Sequence, residues 1–232
     1  MAGFGAWWAK FQADFIQCFI EQDRYKLLLG GIQVTIKVAL LATILGILIG
    51  FLIALCNLSQ NRLLRFIGGV YTDVIRGTPS VTQLMIIYFV VFASISWDKW
   101  IIGAIAFGIN SGGYVAEIFR AGILSIDKGQ TEAGRSLGLT SSQTMTRIVL
   151  PQALKNIFPT LCNEFIVLIK ETAIMGYVGL VDIQKAGDYI KSATFKAWMP
   201  LFAVAIIYYV LIKILNLGLK KIESSLRKSD IR

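Results

Sequence analysis

The sequence predicts an all-α integral membrane protein, a bundle of five transmembrane helices with a helical elbow on one membrane face. Few charges, long apolar runs and lopsided loops predict it. Of 232 residues, 56% are hydrophobic and only 16% charged, with a mean hydropathy of +0.66; soluble domains carry about 25% charged residues. A helix needs roughly 20 mostly apolar residues to cross the hydrocarbon layer. Stretches at about 31–56, 80–96, 100–126, 155–181 and 198–220 meet that need. No loop between them is long enough for a second domain. The spans therefore define one membrane domain, 27–222, between an N-terminal segment, 1–26, and a tail, 223–232.

In the N-terminal segment Phe4, Trp7, Trp8, Phe11, Phe15 and Phe19 recur at three- and four-residue steps, with Lys10, Asp14, Gln17 and Glu21 opposite. This pattern suits an amphipathic helix at the bilayer interface, or equally one packed on the other spans. It lacks the basic start and apolar core of a cleaved signal. The first span is interrupted only by Gln33, Thr35, Lys37 and Thr43, and Lys37 lies close enough to its end to snorkel. Arg76-Gly77-Thr78-Pro79 breaks the chain at the entrance to the second span. Glu117 and Arg120, three apart in the third, can pair on one helix.

Loop charge sets the orientation. The loop after the first span, the central loop and the tail from Lys213 hold twelve basic residues against four acidic, while the opposite face is nearly neutral. Positive-inside places the basic face in the cytoplasm, with the N-terminus outside and the C-terminus inside. No nucleic-acid partner is needed to explain this charge. Eight charges remain in or beside the spans: Lys37, Asp73, Arg76, Glu117, Arg120, Glu164, Lys170 and Glu171. Unpaired at mid-membrane they would cost on the order of 24 kcal/mol, at roughly 3 each. They must pair, snorkel or face water.

The absence of His, with Cys18, Cys56 and Cys162 far apart, argues against a metal site or a disulfide framework. No GxxxxGK[ST] phosphate loop is present, so the chain is not expected to hydrolyse ATP itself. The central loop, 127–151, reads as two short helices and a hinge. Glu132 to Leu137 is helix-compatible, Gly138 stops it, and Thr140-Ser-Ser-Gln143 forms a capping box that opens a second helix toward Pro151. Ala133 and Gly134 leave a bare surface for another protein to approach. The loop is either a docking element or an amphipathic linker.

Glu132-Ala133-Gly134, Gly138, Ile148 and Leu150-Pro151 match in spacing the EAA---G---------I-LP signature of permease subunits of binding-protein-dependent ABC importers. Gly134 departs from it, standing where a second alanine is usual. "RGTPSVTQL" (76–84), "INSGGYVAEIFRAGI" (109–123) and "NEFIVLIKETAI" (163–174) resemble the polar amino acid permeases, the histidine/glutamine group. The resemblance runs from about Leu28 to Arg232. It implies a five-span type I importer permease whose elbow is a coupling helix docked on a separate ATPase, through Glu132, Ala133, Gly134, Arg135, Gly138, Ile148, Leu150 and Pro151. ATP and Mg would bind that ATPase dimer, with no cofactor in this chain. It further implies a second permease subunit, identical or paralogous, an extracytoplasmic binding protein, and a bacterial inner-membrane location.

Substrate contacts are sought among intramembrane polar groups. Asn110, Tyr114 and Glu117 are spaced i, i+4, i+7 on one face of the third span, with Ser111 beside them; Glu164 and Glu171 share a face of the fourth. If these faces meet, carboxylates near mid-membrane can receive an amino group. Thr78 and Gln83 follow the helix break on the same path. Each has a structural alternative: Glu117 can serve Arg120, Glu171 can be interfacial, and Arg76 can hold the helix junction. Glu164, with no opposite charge at i±3 or i±4, is the strongest ligand candidate. A secondary transporter or channel would also explain buried charges, but no inverted repeat is visible and five spans do not halve. An intramembrane enzyme would have only carboxylates to work with.

Overall fold

The computed structural model of the chain describes residues 2–227, and the side chains of residues 4–222. Lys228, Asp230 and Arg232 of the expected tail lie outside the described residues, as do the side chains of Glu223 and Arg227. Among the described residues all regular structure is helical. Three helices of the described residues are long and apolar enough to cross a membrane: α2 (Tyr25–Leu58), α5 (Lys99–Leu124) and α10 (Trp198–Arg227). A fourth candidate is the pair α3 (Arg62–Gly77) and α4 (Ser80–Ile86), continued by a π-turn to Val91 and bent by 107°. The expected second span, 80–96, is thus helical only to Val91, and the helix before it was not anticipated.

The helices α2 and α5 share the largest contact in the fold. Both are rich in small residues where they meet, and Gly108-Ile-Asn-Ser-Gly112 places two glycines one turn apart on α5. A β-carbon on Gly46 would stand 2.9 Å from the Ser111 side chain, one on Gly50 2.6 Å from Val115, and one on Gly108 2.7 Å from Leu45. Rising numbers on α2 meet rising numbers on α5, so the two helices run parallel. The chain between Leu58 and Lys99 must therefore return from one end of the pair to the other.

That return is broken at Thr78 and Pro79. Proline bars the helical conformation from the residue before it, and Thr78 is extended (φ −122°, ψ 148°). The carbonyls freed by the break are met from within: Gln83 Nε2 donates to the Ile75 and Thr78 carbonyls (2.8 and 3.2 Å) and to Thr78 Oγ1 (2.6 Å). Tyr71 fixes α3 on the pair, its hydroxyl donating to the Ile109 carbonyl at 2.6 Å.

The elbow comprises α6 (Lys128–Ser136) and α7 (Ser141–Thr144). A π-turn at Met145–Val149 leads without a break into α8 (Leu150–Glu171), and a 3-10 turn, Thr172–Val178, closes it at Gly179 (φ 72°). Helix α8 runs antiparallel to α5, since Ser111 meets Glu164 while Gly122 lies against Ile157. Asp182 then caps α9 (Ile183–Thr194), accepting from Gln184 N and Lys185 N, and Tyr208 of α10 donates to it at 3.0 Å. Farther along, α10 lies beside Asn163 and Pro159, so it runs antiparallel to α8. The N-terminal helix α1 (Ala2–Phe15) packs at the corner between α9 and α10.

Gly50→Val is expected to force α2 and α5 apart, costing about 1–3 kcal/mol of stability as overpacking does. Thermal unfolding of the detergent-solubilised chain checks this, at roughly 2–4 °C per kcal/mol for a chain of this size.

Candidate functional site

A groove of about 470 Å³ opens between α3, α5 and α8, lined by Arg76, Tyr114, Glu117, Asn156, Thr160 and Glu164 among others. Each wall follows from its element. Arg76 is the last charged residue before the helix break, which turns α4 aside and leaves its guanidinium over the Tyr114 ring, 5.7 Å from the centroid. Tyr114 and Glu117 stand three apart on the α5 face turned toward α3. Both Glu117 oxygens accept from Arg120 one turn on, and Oε2 also lies 4.0 Å from Arg76 Nη1. Across the groove Glu164 accepts a hydrogen bond from Ser111 Oγ at 2.9 Å and has no ion pair among the described residues. One side is thus cationic at Arg76, and the facing carboxylate of Glu164 has no cationic partner.

The seven predicted substrate residues divide. Glu164, Glu117 and Tyr114 line the groove. Ser111 is fully buried behind it, holding Glu164. Asn110 and Gln83 are buried at the junction of the broken span, where Asn110 Nδ2 donates to Gln83 Oε1 (2.9 Å). Thr78 also works there, donating to the Val74 carbonyl at 2.8 Å and accepting from Gln83. Glu171 lies outside the groove. Arg76, read from the sequence as a junction residue, lies in the last turn of α3 before the break and also lines the groove wall. Its proximity to Glu117 joins residues 41 apart, which no local spacing reveals.

The elbow departs from its expected form in three ways. Helix α6 starts at Lys128 rather than Glu132, because Asp127 caps it by accepting from Gly129 N at 2.6 Å. Gly138, at φ 81°, ends it as expected: Gly138 N donates to the Arg135 carbonyl and Leu139 N to the Gly134 carbonyl, at 3.0 and 3.2 Å. The capping box is formed in both directions, with Thr140 N donating to Gln143 Oε1 and Gln143 N to Thr140 Oγ1. Gly134, however, faces inward: a β-carbon there would meet Thr144 at 2.7 Å and Ile148 at 2.9 Å. The bare glycine surface serves the close crossing of α6 on α7, and only Ala133 of the pair is exposed. Nor does the second helix end at Pro151. The π-turn before it reorganises the local bonds around the missing N–H, and the helix continues.

Residues 46–228 match the family of binding-protein-dependent transport system inner membrane components. The chain belongs to this family. A putative glutamine transport system permease of Rickettsia bellii is 42% identical over 198 residues, 84% of this chain and 91% of the relative. An arginine transport system permease of Bacillus subtilis is 40% identical over 205 residues, 88% of this chain and 94% of the relative. A solved amino acid ABC transporter, crystallised with histidines, superposes with a TM-score of 0.82 at 38% identity, covering 89% of this chain and 98% of that one. The inward-facing methionine transporter MetNI, 19% identical with a TM-score of 0.73, shares the fold. The protein is therefore an inner-membrane, multi-pass permease of the polar amino acid ABC importers, and the ATPase is a separate chain.

Within a permease of this family, Gln83 and Asn110 have a mechanical setting, at the broken span behind the groove. Gln83→Met keeps the bulk but leaves Asn110 Nδ2 and the Ile75 carbonyl unpaired, at a cost of about 1–3 kcal/mol. A lowered melting temperature with unchanged substrate preference is expected. A changed preference at unchanged stability would instead make Gln83 a ligand contact.

Proposed function

We propose that this permease carries polar amino acids, including basic ones, through the groove between α3, α5 and α8, with Glu164 as the principal substrate contact. The observation that carries the reading is the facing pair of opposite charges, Arg76 on one wall and Glu164 on the other, across a volume of about 470 Å³. A guanidinium suits an α-carboxylate, and a carboxylate without a cationic partner suits an ammonium or a basic side chain. Glu117, shared between Arg120 and Arg76, neutralises the wall and leaves Arg76 near the opening. The glutamine and arginine named for the relatives fall within this class.

Five crossings are the reading the helix directions support. Parallel α2 and α5 need one return between them, which α3 and α4 supply together. Antiparallel α8 and α10 add two more. Helix α8 falls short of an apolar span by composition because Lys155, Glu164, Lys170 and Glu171 lie on it, but it packs against α5 inside the bundle. With the elbow in the cytoplasm, the N-terminus lies outside and the C-terminus inside.

Coupling follows from continuity. The elbow presents Glu132, Ala133 and the four-fifths-exposed Leu137 to the cytoplasm, while Arg135 pins the turn by donating to the Leu139 carbonyl at 2.8 Å. From Ser141 the backbone stays helical to Glu171. Glu164 therefore sits on the rod against which the docking helix α6 packs, about 35 Å from its start at Ser141 at 1.5 Å per residue. An ATPase dimer gripping the elbow would move Glu164 against Ser111. A second permease, identical or paralogous, and a binding protein outside would complete the transporter.

Glu164→Gln should preserve membrane insertion and abolish or redirect uptake in proteoliposomes holding the partner ATPase and binding protein; unchanged uptake and preference would exclude Glu164 as the contact. Glu132→Lys should insert normally, lose co-purification with the ATPase and lose nucleotide-dependent uptake. Retention of both would remove the docking role.

A further inference from the structure

The family match begins at residue 46, and neither the groove nor the elbow uses the N-terminal segment. Its built features are extensive. Helix α1 carries a connected set of rings: Phe4 against Trp7 at 6.0 Å, Trp7 and Trp8 against Phe11 at 5.7 and 5.5 Å, and Phe11 against Trp198 at 5.9 Å. Trp198 in turn meets Phe202 at 6.4 Å. Trp198 opens α10, and only 6% of the most apolar window of α10 is buried in the chain. The aromatic surface of α1 therefore continues without a gap onto the flank of the last span that faces lipid.

The other side of α1 is tied down. Asp14, only 5% exposed, is ion-paired to Lys196 in the corner between α9 and α10. One turn later Cys18 is fully buried beside Thr194, and Cys18 and Phe19 pack on Ile183, Ala186 and Ile190. Between α1 and α2, Gln22 and Asp23 both adopt φ 55°, a left-handed turn that prevents α1 from extending α2. Helix α1 is carried on to Ile20 by a π-turn before that left-handed turn. With its inward face occupied, it presents Phe4, Trp7, Trp8 and Phe15 outward, each exposed by 44% or more. Trp side chains settle at the boundary between headgroups and acyl chains, the level at which the first turn of an apolar span such as α10 lies.

We propose that α1 lies flat in the outer-leaflet interface with its aromatic face among phospholipid glycerol groups and upper acyl chains, and that the Asp14–Lys196 pair uses this anchor to hold the α9–α10 corner at the membrane surface. The occupant of the aromatic face is lipid, because the face is continuous with the lipid-facing flank of α10. A second copy of the chain or a binding protein on that face is the competing outcome.

The full chain in phosphatidylethanolamine–phosphatidylglycerol vesicles tests this. The variant W97F/W100F/W198F retains Trp7 and Trp8 as its only tryptophans. Its emission should be strongly quenched by lipids brominated near the glycerol, less by lipids brominated near the chain end, and little by aqueous iodide. Dominant iodide quenching places α1 in water, dominant deep quenching places it within the bilayer core, and protection from all three places it against protein; each overturns the proposal. Should that variant fold poorly, the unmodified chain in vesicles containing a phospholipid with a photoactivatable group near the glycerol should form adducts on residues 4–15, and absence of adducts there overturns the placement. Asp14→Asn should keep the lipid contact but raise hydrogen exchange across 192–197. Unchanged exchange overturns the pinning role.

Discussion

The contact on which the structure depends is the close approach of α2 and α5. Glycines at 46, 50, 108 and 112 let the two helices touch at distances a side chain would forbid. In lipid no hydrophobic drive favours helix association, so close packing and internal bonding must supply it. The consequences spread outward. Parallel packing obliges the chain to return between the two helices, and the return is made by a helix broken at Pro79. The break exposes backbone carbonyls inside a membrane domain, where each unsatisfied group costs several kcal/mol. Gln83 and Asn110 are placed to prevent that cost, so two buried polar residues have their explanation in the glycine seam.

The same geometry resolves part of the intramembrane charge. Eight ionisable groups would be prohibitive if isolated at mid-membrane, and three of them meet one another. Glu117 is bonded to Arg120 and approached by Arg76, whose guanidinium also covers the Tyr114 ring. Lys37, Asp73 and Lys170 remain at exposed positions on the outside of the bundle. Two half-buried carboxylates remain on α8: Glu164, held by a single neutral donor, Ser111, and Glu171 at the end of the helix. For Glu164 such a setting would suit the translocated cation proposed above.

Much of this was legible in the sequence, and the division between what was and was not is physical. Signals confined to one turn of chain survived: the capping box at Thr140, the left-handed Gly138, and the Glu117–Arg120 pair three residues apart. Apolar runs located α2, α5 and α10 because each is long and nearly free of charge. Helix α3 was missed because Arg62, Arg65, Asp73 and Arg76 interrupt its apolar residues, which gives the pattern of an amphipathic surface helix rather than a span. The inward face of Gly134, the pairing of Asn110 with Gln83, and the place of Arg76 in the groove wall all depend on which distant element arrives opposite. Small residues in particular look alike in sequence whether they admit a partner protein or a helix of their own chain.

The inward placement of Gly134 bears on how force crosses the elbow. A docking surface made of loosely held helices would absorb the displacement of an ATPase before it reached the membrane. Here α6 is locked on α7 through the Gly134 crossing, and Gln152 Nε2, bonded to Gln130 Oε1 at 3.3 Å, ties α6 to α8. The π-turn at Met145–Val149 lets the rod pass Pro151 without a hinge. If the elbow docks as proposed, a push on Leu137 or Glu132 reaches α5 first where Ile157 lies against Gly122 and Asn156 Nδ2 donates to Ser125 Oγ at 3.0 Å. It then reaches α5 again, beyond Pro159, where Glu164 meets Ser111. The Glu164–Ser111 contact is a single hydrogen bond at the groove wall, which the proposed substrate ammonium would have to replace. Under the proposed coupling, the tight crossing of α6 on α7 and the sparse bonding of Glu164 would be complementary requirements, since a lever accomplishes nothing if its far end is bonded too firmly to yield.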